Sequence, residues 1–268
     1  MKVAAIQLVS SPRVHDNLTA ARTWLARAAD AGAELVVLPE YFCLMGMRDS
    51  DKLAIAEAPG AGPIQAMLAE AAQRHGLWIV GGTVPLTTSV PNRVANATVV
   101  FSPAGTAVAR YDKIHLFRFD NGQERYDEAE VLVAGDTPTA FTLTDRTGTA
   151  WRVGLSVCYD LRFPELYRQL QADVLLVPAA FTHTTGQSHW EVLLRARAIE
   201  NQAFVLASAQ GGLHDNGRQT WGHSMVIDPW GQVVGQHATG EGLALADLDA
   251  ARLAQIRRQL PALQHRRL

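Results

Sequence analysis

Two stretches decide the architecture: ELVVLP at Glu34–Pro39 and DVLLVP at Asp173–Pro178. Each is an acid, four branched apolar residues and a proline, and each follows a predicted helix. A short unbroken apolar run reads as a strand buried on both faces, the pattern of parallel strands covered by helices. Outward from these runs, strands and helices alternate. Val3–Leu8 is a first strand, and Asp16 is expected to cap a helix over 17–31, with Leu18, Ala21, Leu25 and Ala28 on one face and Gly32 as its stop. A second helix runs from Pro63 to His75, with proline in its first turn and Gly76 after its last. Strands are expected over 77–83, 95–101 and 106–111, with SPAG at 102–105 as a hairpin turn, then over 151–157, 174–177, 204–209, 224–227, 232–236 and 243–246. Helices are expected over 164–171, 188–201 and 249–259. The segment 112–137 is polar and aperiodic; it reads as a long loop, and loops of that length inside a domain are usually functional.

No Pro/Gly/Ser-rich linker or charge block divides the chain, so residues 1–268 read as a single domain. The echo between the two quoted runs fits two similar α/β halves packed sheet to sheet with helices outside. The 24 Lys and Arg against 26 Asp and Glu leave a net charge of −2, too balanced for a chain that lives on phosphate backbones. With 48% apolar residues the chain is not disordered, and no run approaches the roughly 18 apolar residues of a membrane span. The two cysteines, Cys43 and Cys158, read as free thiols in a reducing compartment. The start, MKVAAIQLVSSP, lacks the long apolar region of a secretory signal, so a cytoplasmic location is expected.

Three residues at predicted strand ends carry chemistry: Glu40 after Pro39, Lys113 in YDKIHLF, and Cys158 between GLSV and YDLRFPELYR. Ligands of α/β sheets meet the protein at strand ends. A thiol at a sharp strand-to-helix turn is presented like a nucleophile elbow, and a nearby cation and a helix N-terminus would favour its thiolate. A carboxylate can take the thiol proton, and an ammonium can stabilise an oxyanion beside a backbone N–H. Attack by the sulfur on a carbonyl then splits a hard substitution into two steps through a thioester. Taken singly, each residue has a plainer reading: an inert core thiol, a solvated turn glutamate, a surface lysine.

Taken together, LVVLPEYF at 35–42, YDKIHLF at 111–117 and GLSVCYDLRFPELYR at 154–168 resemble the Glu, Lys and Cys blocks of the nitrilase superfamily of carbon–nitrogen hydrolases, in that order. Residues 178–210 and 221–234 also resemble family sequence, so the likeness covers nearly the whole chain. It implies a four-layer α-β-β-α sandwich of the nitrilase type. It also implies Glu40 as general base, Lys113 as oxyanion stabiliser and proton donor, and Cys158 as nucleophile. The backbone N–H of Tyr159 would be the second oxyanion donor. YDEAEVLVAGD at 126–136 places Glu128 at the family's second glutamate, holding Lys113 and orienting substrate, with Glu124 and Glu130 as neighbouring competitors. The motif CYDLRFPE is similar to the amidase branch acting on ω-amides of 2-oxo acids and on deaminated glutathione. The ending RRQLPALQHRR favours the latter, and the loop RFDNGQERYDEAE departs from the ω-amidase form. The implied reaction is hydrolysis of deaminated glutathione to 2-oxoglutarate and cysteinylglycine, a metabolite repair. The alternatives are an ω-amidase acting on 2-oxoglutaramate, a nitrile or N-carbamoyl hydrolase, and a non-catalytic interaction protein that kept the fold.

Such a substrate carries carboxylates. Arg162 either binds one or fixes its own turn through Asp160 or Glu165. Phe181, with the residues up to Thr185, either lines the pocket or forms a plain loop. Cys43 is expected to be a packing thiol. His115, His183, His189, His214 and His223 show no metal-ligand spacing, and GxGxxG, GxxxxGK[ST] and GxSxG are absent, so no metal or cofactor is expected. The partners expected are a small-molecule amide and a second copy of the chain in a homodimer or higher homo-oligomer, with no nucleic acid and no membrane. Trp190, Leu193 and Leu194 could face that copy or the core.

Overall fold

The computed structural model of the chain describes residues 1–120, 122 and 125–267. Its first half runs β1 (Lys2–Gln7), α1 (Val14–Asp30), β2 (Leu35–Val37), α2 (Asp51–Ala54), α3 (Pro63–His75), β3 (Trp78–Val80), β4 (Val84–Thr87), β5 (Val94–Phe101) and β6 (Ala107–Asp112). The short strands β7 (Arg118–Asp120), β8 (Arg125–Asp127) and β9 (Leu132–Val133) follow. The second half runs β10 (Ala140–Thr144), β11 (Ala150–Leu155), α4 (Pro164–Leu170), β12 (Val174–Ala179), α5 (His183–Asn201), β13 (Phe204–Ala209), β14 (Ser224–Ile227), β15 (Val233–His237), β16 (Gly242–Asp247) and α6 (Ala250–Gln259).

The two quoted runs become the inner strands β2 and β12 of two sheets. In the first sheet the order is β16-β1-β2-β3-β5-β4, with β6 and β9 also paired to β5. In the second it is β10-β11-β12-β13-β14-β15. Strand β2 is parallel to β1 and β3, and β12 is parallel to β11 and β13. Both faces of β2 are apolar because both are covered. Leu35 and Val37, like Val3 and Ala5 of β1, point into a core shared with the second sheet, while Val36 and Leu38, like Ala4 and Ile6, pack under the apolar faces of α1 and α3. Helices α4 and α5 cover the outer face of the second sheet through Leu166, Trp190 and Leu194. The layers are therefore helix, sheet, sheet, helix, as expected. Strand β16 returns to pair antiparallel with β1, setting Asp247 opposite Lys2. Among the described residues no helix is long and apolar enough to cross a membrane.

Several local expectations are corrected. Helix α1 starts at Val14, so Asp16 sits in its first turn, paired with Arg13, and is not its cap. Within the stretch 77–83 only β3 is strand; β4 begins just beyond it, after Gly82, whose φ is +51° and whose added β-carbon would lie 2.1 Å from the Pro39 carbonyl oxygen. The expected loop 112–137 holds a β7–β8 hairpin, a 3-10 turn at Glu128–Glu130 and β9; strands of two or three residues are too short to show a period. Helix α5 begins at His183, five residues early, because Thr182 caps it by accepting from the Thr185 N–H. Trp190 and Leu194 of α5 lie in the core, and Val192 is the exposed apolar residue between them.

Candidate active site

The strand ends converge. Glu40 follows β2, Cys158 follows β11, Ala180 follows β12 and Gln210 follows β13. Each of the last three is bonded to Glu40 or interacts with its carboxylate. The Glu40 carboxylate accepts from Asn96 Nδ2 at 2.9 Å, from Lys113 Nζ at 2.9 Å and from the Ala180 N–H at 3.0 Å, and its backbone carbonyl accepts from Gln210 Nε2 at 3.1 Å. One carboxylate is thus held from both sheets, which leaves it little freedom to rotate.

Lys113 is buried and lies between two carboxylates. Its Nζ reaches Glu128 Oε2 at 2.8 Å and Oε1 at 3.0 Å, besides Glu40. Its backbone is clamped as well, the N–H donating to the Asn96 carbonyl and the carbonyl accepting from Gly135. Gly135 packs so close that an added β-carbon would lie 2.2 Å from the Asp112 carbonyl oxygen. Burial works to strip the proton from Lys113, but the Glu128 and Glu40 carboxylates outweigh it and hold the ammonium above its ordinary value. Burial pushes the Glu128 carboxyl up, whereas Lys113 and the Phe117 N–H pull it down further, so it stays ionised. Tyr41 Oη donates to Glu128 Oε1 at 2.8 Å. Of the competitors, Glu130 is on the surface beside Arg125, and Glu124 lies outside the described residues.

Cys158 opens a short 3-10 turn with φ +49°, a strained value for a residue with a side chain, and Tyr41, just after Glu40, has φ +58°. Asp160 holds the cysteine turn in place. Fully buried, it accepts from the Val157 N–H (2.8 Å), Tyr111 Oη (2.7 Å) and the His115 N–H (3.0 Å), and lies 2.7 Å from His115 Nδ1. It ties the cysteine turn to the lysine segment across the sandwich. The thiol sits in the fields of the Glu40 carboxylate and the Lys113 ammonium. Burial first, then Glu40, pushes its pKa well above the usual thiol value, and Lys113 only partly offsets them. The expected thiolate is corrected accordingly: the resting group is a thiol beside a carboxylate base.

Cys158 faces a cavity walled by Tyr41, Phe117, Tyr159 and Phe181, with Arg162 and Arg218 as its cations. Arg162 pairs with neither Asp160 nor Glu165. Its guanidinium lies over the Phe181 ring at 5.3 Å and the Tyr159 ring at 5.8 Å, with Nη1 3.3 Å from His189 Nδ1. Thr182 and Thr185 also line the cavity, so this segment is a helix cap facing the site. Cys43 is buried against the Thr83 carbonyl, away from the cavity lining. Arg195 and Arg197 make ion pairs within α5. Asn96, Asp160, the Ala180 N–H and Arg218 were not singled out from the sequence. Asn96 alone left a trace, as a lone amide in the apolar strand VANATVVF.

The family model for carbon-nitrogen hydrolases matches residues 2–258. A deaminated glutathione amidase of Synechocystis sp. is 42% identical over 269 residues, covering 98% of this chain and 97% of that protein. An omega-amidase of Homo sapiens is 36% identical, covering 99% and 95% respectively. The crystal structure of Nit3 from Saccharomyces cerevisiae, a member of branch 10 of the nitrilase superfamily, superposes with a TM-score of 0.87 at 29% identity, covering 100% of this chain and 97% of that one. With its strand-end cluster of Glu40, Lys113 and Cys158 in a sandwich of this type, the chain belongs to the carbon-nitrogen hydrolase family.

Proposed function

We propose that the protein is a thiol amidase that hydrolyses deaminated glutathione to 2-oxoglutarate and cysteinylglycine. The observation that carries this reading is Cys158 buried beside the bonded set of Glu40, Lys113 and Glu128 at the wall of a cavity holding two guanidinium groups. In the first step Glu40 takes the Cys158 proton as the sulfur attacks the amide carbonyl carbon. The oxyanion is met by the Lys113 ammonium and the Tyr159 N–H. As the tetrahedral intermediate collapses, the C–N bond breaks and the proton held by Glu40 passes to the leaving nitrogen. Glu40 next takes a proton from water, whose oxygen attacks the thioester, and the thiol leaves reprotonated with the acid product released. Lys113, anchored by two carboxylates, keeps its proton and serves as a fixed charge, so in this reading the proton donation expected of it falls to Glu40. Glu128 neutralises part of that charge and positions it.

Two cations suit a substrate with carboxylates at both ends. The relatives' names point to the same chemistry, the Synechocystis protein being a deaminated glutathione amidase and the human one an omega-amidase. The reading further takes the chain as one domain in the cytoplasm, forming a dimer through the α4–α5 side, where Val192 and Ile199 are exposed. The test measures 2-oxoglutarate released from deaminated glutathione and from 2-oxoglutaramate. The expected result is a higher kcat/KM for deaminated glutathione. Release from 2-oxoglutaramate alone would move the protein to the ω-amidases, and release from neither would remove the proposal.

A further inference from the structure

A second cavity adjoins the catalytic one, and Tyr41 and Arg218 line both. Its wall carries Arg48, Lys52, Arg125 and Arg218 against Asp49 as the single acid. Three of these cations are satisfied locally: Arg48 by Asp51, Lys52 by Asp49 and Arg125 by Glu130. Arg218 differs. It forms no ion pair with a described residue, and its buried Nε has no hydrogen-bond partner. The guanidinium lies over the Tyr126 ring at 4.7 Å. Its backbone is fixed, the N–H donating to Asn216 Oδ1 and the carbonyl accepting from the His214 N–H, while Asn216 ties the loop to the Gly46 carbonyl. A guanidinium carried on a fixed loop, lining both cavities with no counter-ion among the described residues, is suited to receive an anion, because burying it without one costs free energy that a carboxylate would return.

We propose that Arg218 is the specificity residue of a leaving-group subsite: the amine half of a dipeptide-like amide lies across the junction of the two cavities, and its terminal carboxylate is bound by the Arg218 guanidinium. This rests on the amidase reading above and deepens it. Arg162, which lines the inner cavity alone, then serves the acyl half. The subsite selects amides whose amine component carries a carboxylate about a dipeptide's length from the scissile nitrogen. An amide that releases ammonia has nothing to place there.

The experiment compares kcat/KM for deaminated glutathione and for 2-oxoglutaramate in wild type, Arg218→Gln and Arg218→Lys, using the ratio of the two so that any general loss cancels. In Arg218→Gln the ratio should fall tenfold or more, chiefly through KM for the longer amide. Arg218→Lys, which keeps the charge without the fork, should fall between and serves as the reading variant if the glutamine variant does not fold. A ratio within threefold of wild type in the folded variants overturns the subsite while leaving the amidase reading standing. A wild type that hydrolyses 2-oxoglutaramate and not deaminated glutathione, or neither, overturns both.

Discussion

The chain holds two cysteines, both buried, and they show what separates a packing thiol from a reactive one. Burial pushes Cys43 up to about 12. Among the described residues its one hydrogen bond is a weak donation to the Thr83 carbonyl at 3.7 Å, an acceptor that cannot take the proton away. Cys158 is pushed up by the same burial, yet it also lines one cavity with Glu40, lies in the field of Lys113 and opens on that cavity. Its backbone is held at φ +49°, whereas Cys43 is not among the residues with positive φ. A raised pKa therefore does not make a thiol inert. What matters is whether a base stands ready when a carbonyl carbon arrives.

The largest effect should come from exchanging the two. Cys158→Ala removes the nucleophile and should lower kcat by about 10⁴-fold or more, as losing a covalent catalyst does. Cys43→Ala should stay within about threefold of wild type. Iodoacetamide on the native protein, read by mass spectrometry, should label Cys158 and leave Cys43 unlabelled until the chain is unfolded. Comparable labelling of both native thiols would erase the distinction.

Next in size is Glu40→Gln. Turnover should fall by about 10²–10⁴-fold, the usual range for a general base. The thiol should respond in the opposite sense. Glu40 is, after burial, the main influence raising the Cys158 pKa, so removing its charge lets that pKa fall. The midpoint of the Cys158 alkylation profile should then move to lower pH while the enzyme becomes slower. A profile that stays put, or moves up, would mean Glu40 is not the group against the sulfur.

The readable parts of the chain were those in which one residue's identity carries the information. ELVVLP and DVLLVP gave buried strands because both faces had to be apolar, and Glu40, Lys113 and Cys158 stood out as reactive types at strand ends. What was hidden depends on distance in sequence. Ala180 contributes a backbone N–H, which any residue but proline would supply. Asp160 looks like one more turn acid until Tyr111 and His115, more than forty positions away, are seen to donate to it. Arg218 sits in GGLHDNGRQTWG and reads as a solvated loop residue; only the two cavities give it a task. The β7–β8 hairpin is three residues a side and mostly charged, so no period marks it.

The smallest effect concerns stability, and it sets the two cysteines on an equal footing. Both folded thiols hold their protons above the usual value, Cys43 up to about 12. Unfolded thiols ionise near pH 8.5. Below that value folded and unfolded states bind the same protons, and the contribution is fully present. Above it the unfolded state loses protons that the folded state keeps, so stability falls as pH rises toward the folded values. By pH 10 the loss is about 2 kcal/mol for Cys43, and Cys158 adds a loss of the same sign. Urea unfolding of wild type and Cys43→Ala at pH 7 and pH 10 checks this. The alanine variant starts from a lower stability at pH 7, since it loses a packed sulfur, but its decline between the two pH values should be about 2 kcal/mol smaller. Tyrosines that begin to ionise near pH 10 are common to both proteins and cancel in the difference. Equal declines would show that Cys43 ionises as freely in the folded chain as in the unfolded one, and burial would no longer explain its silence beside Cys158.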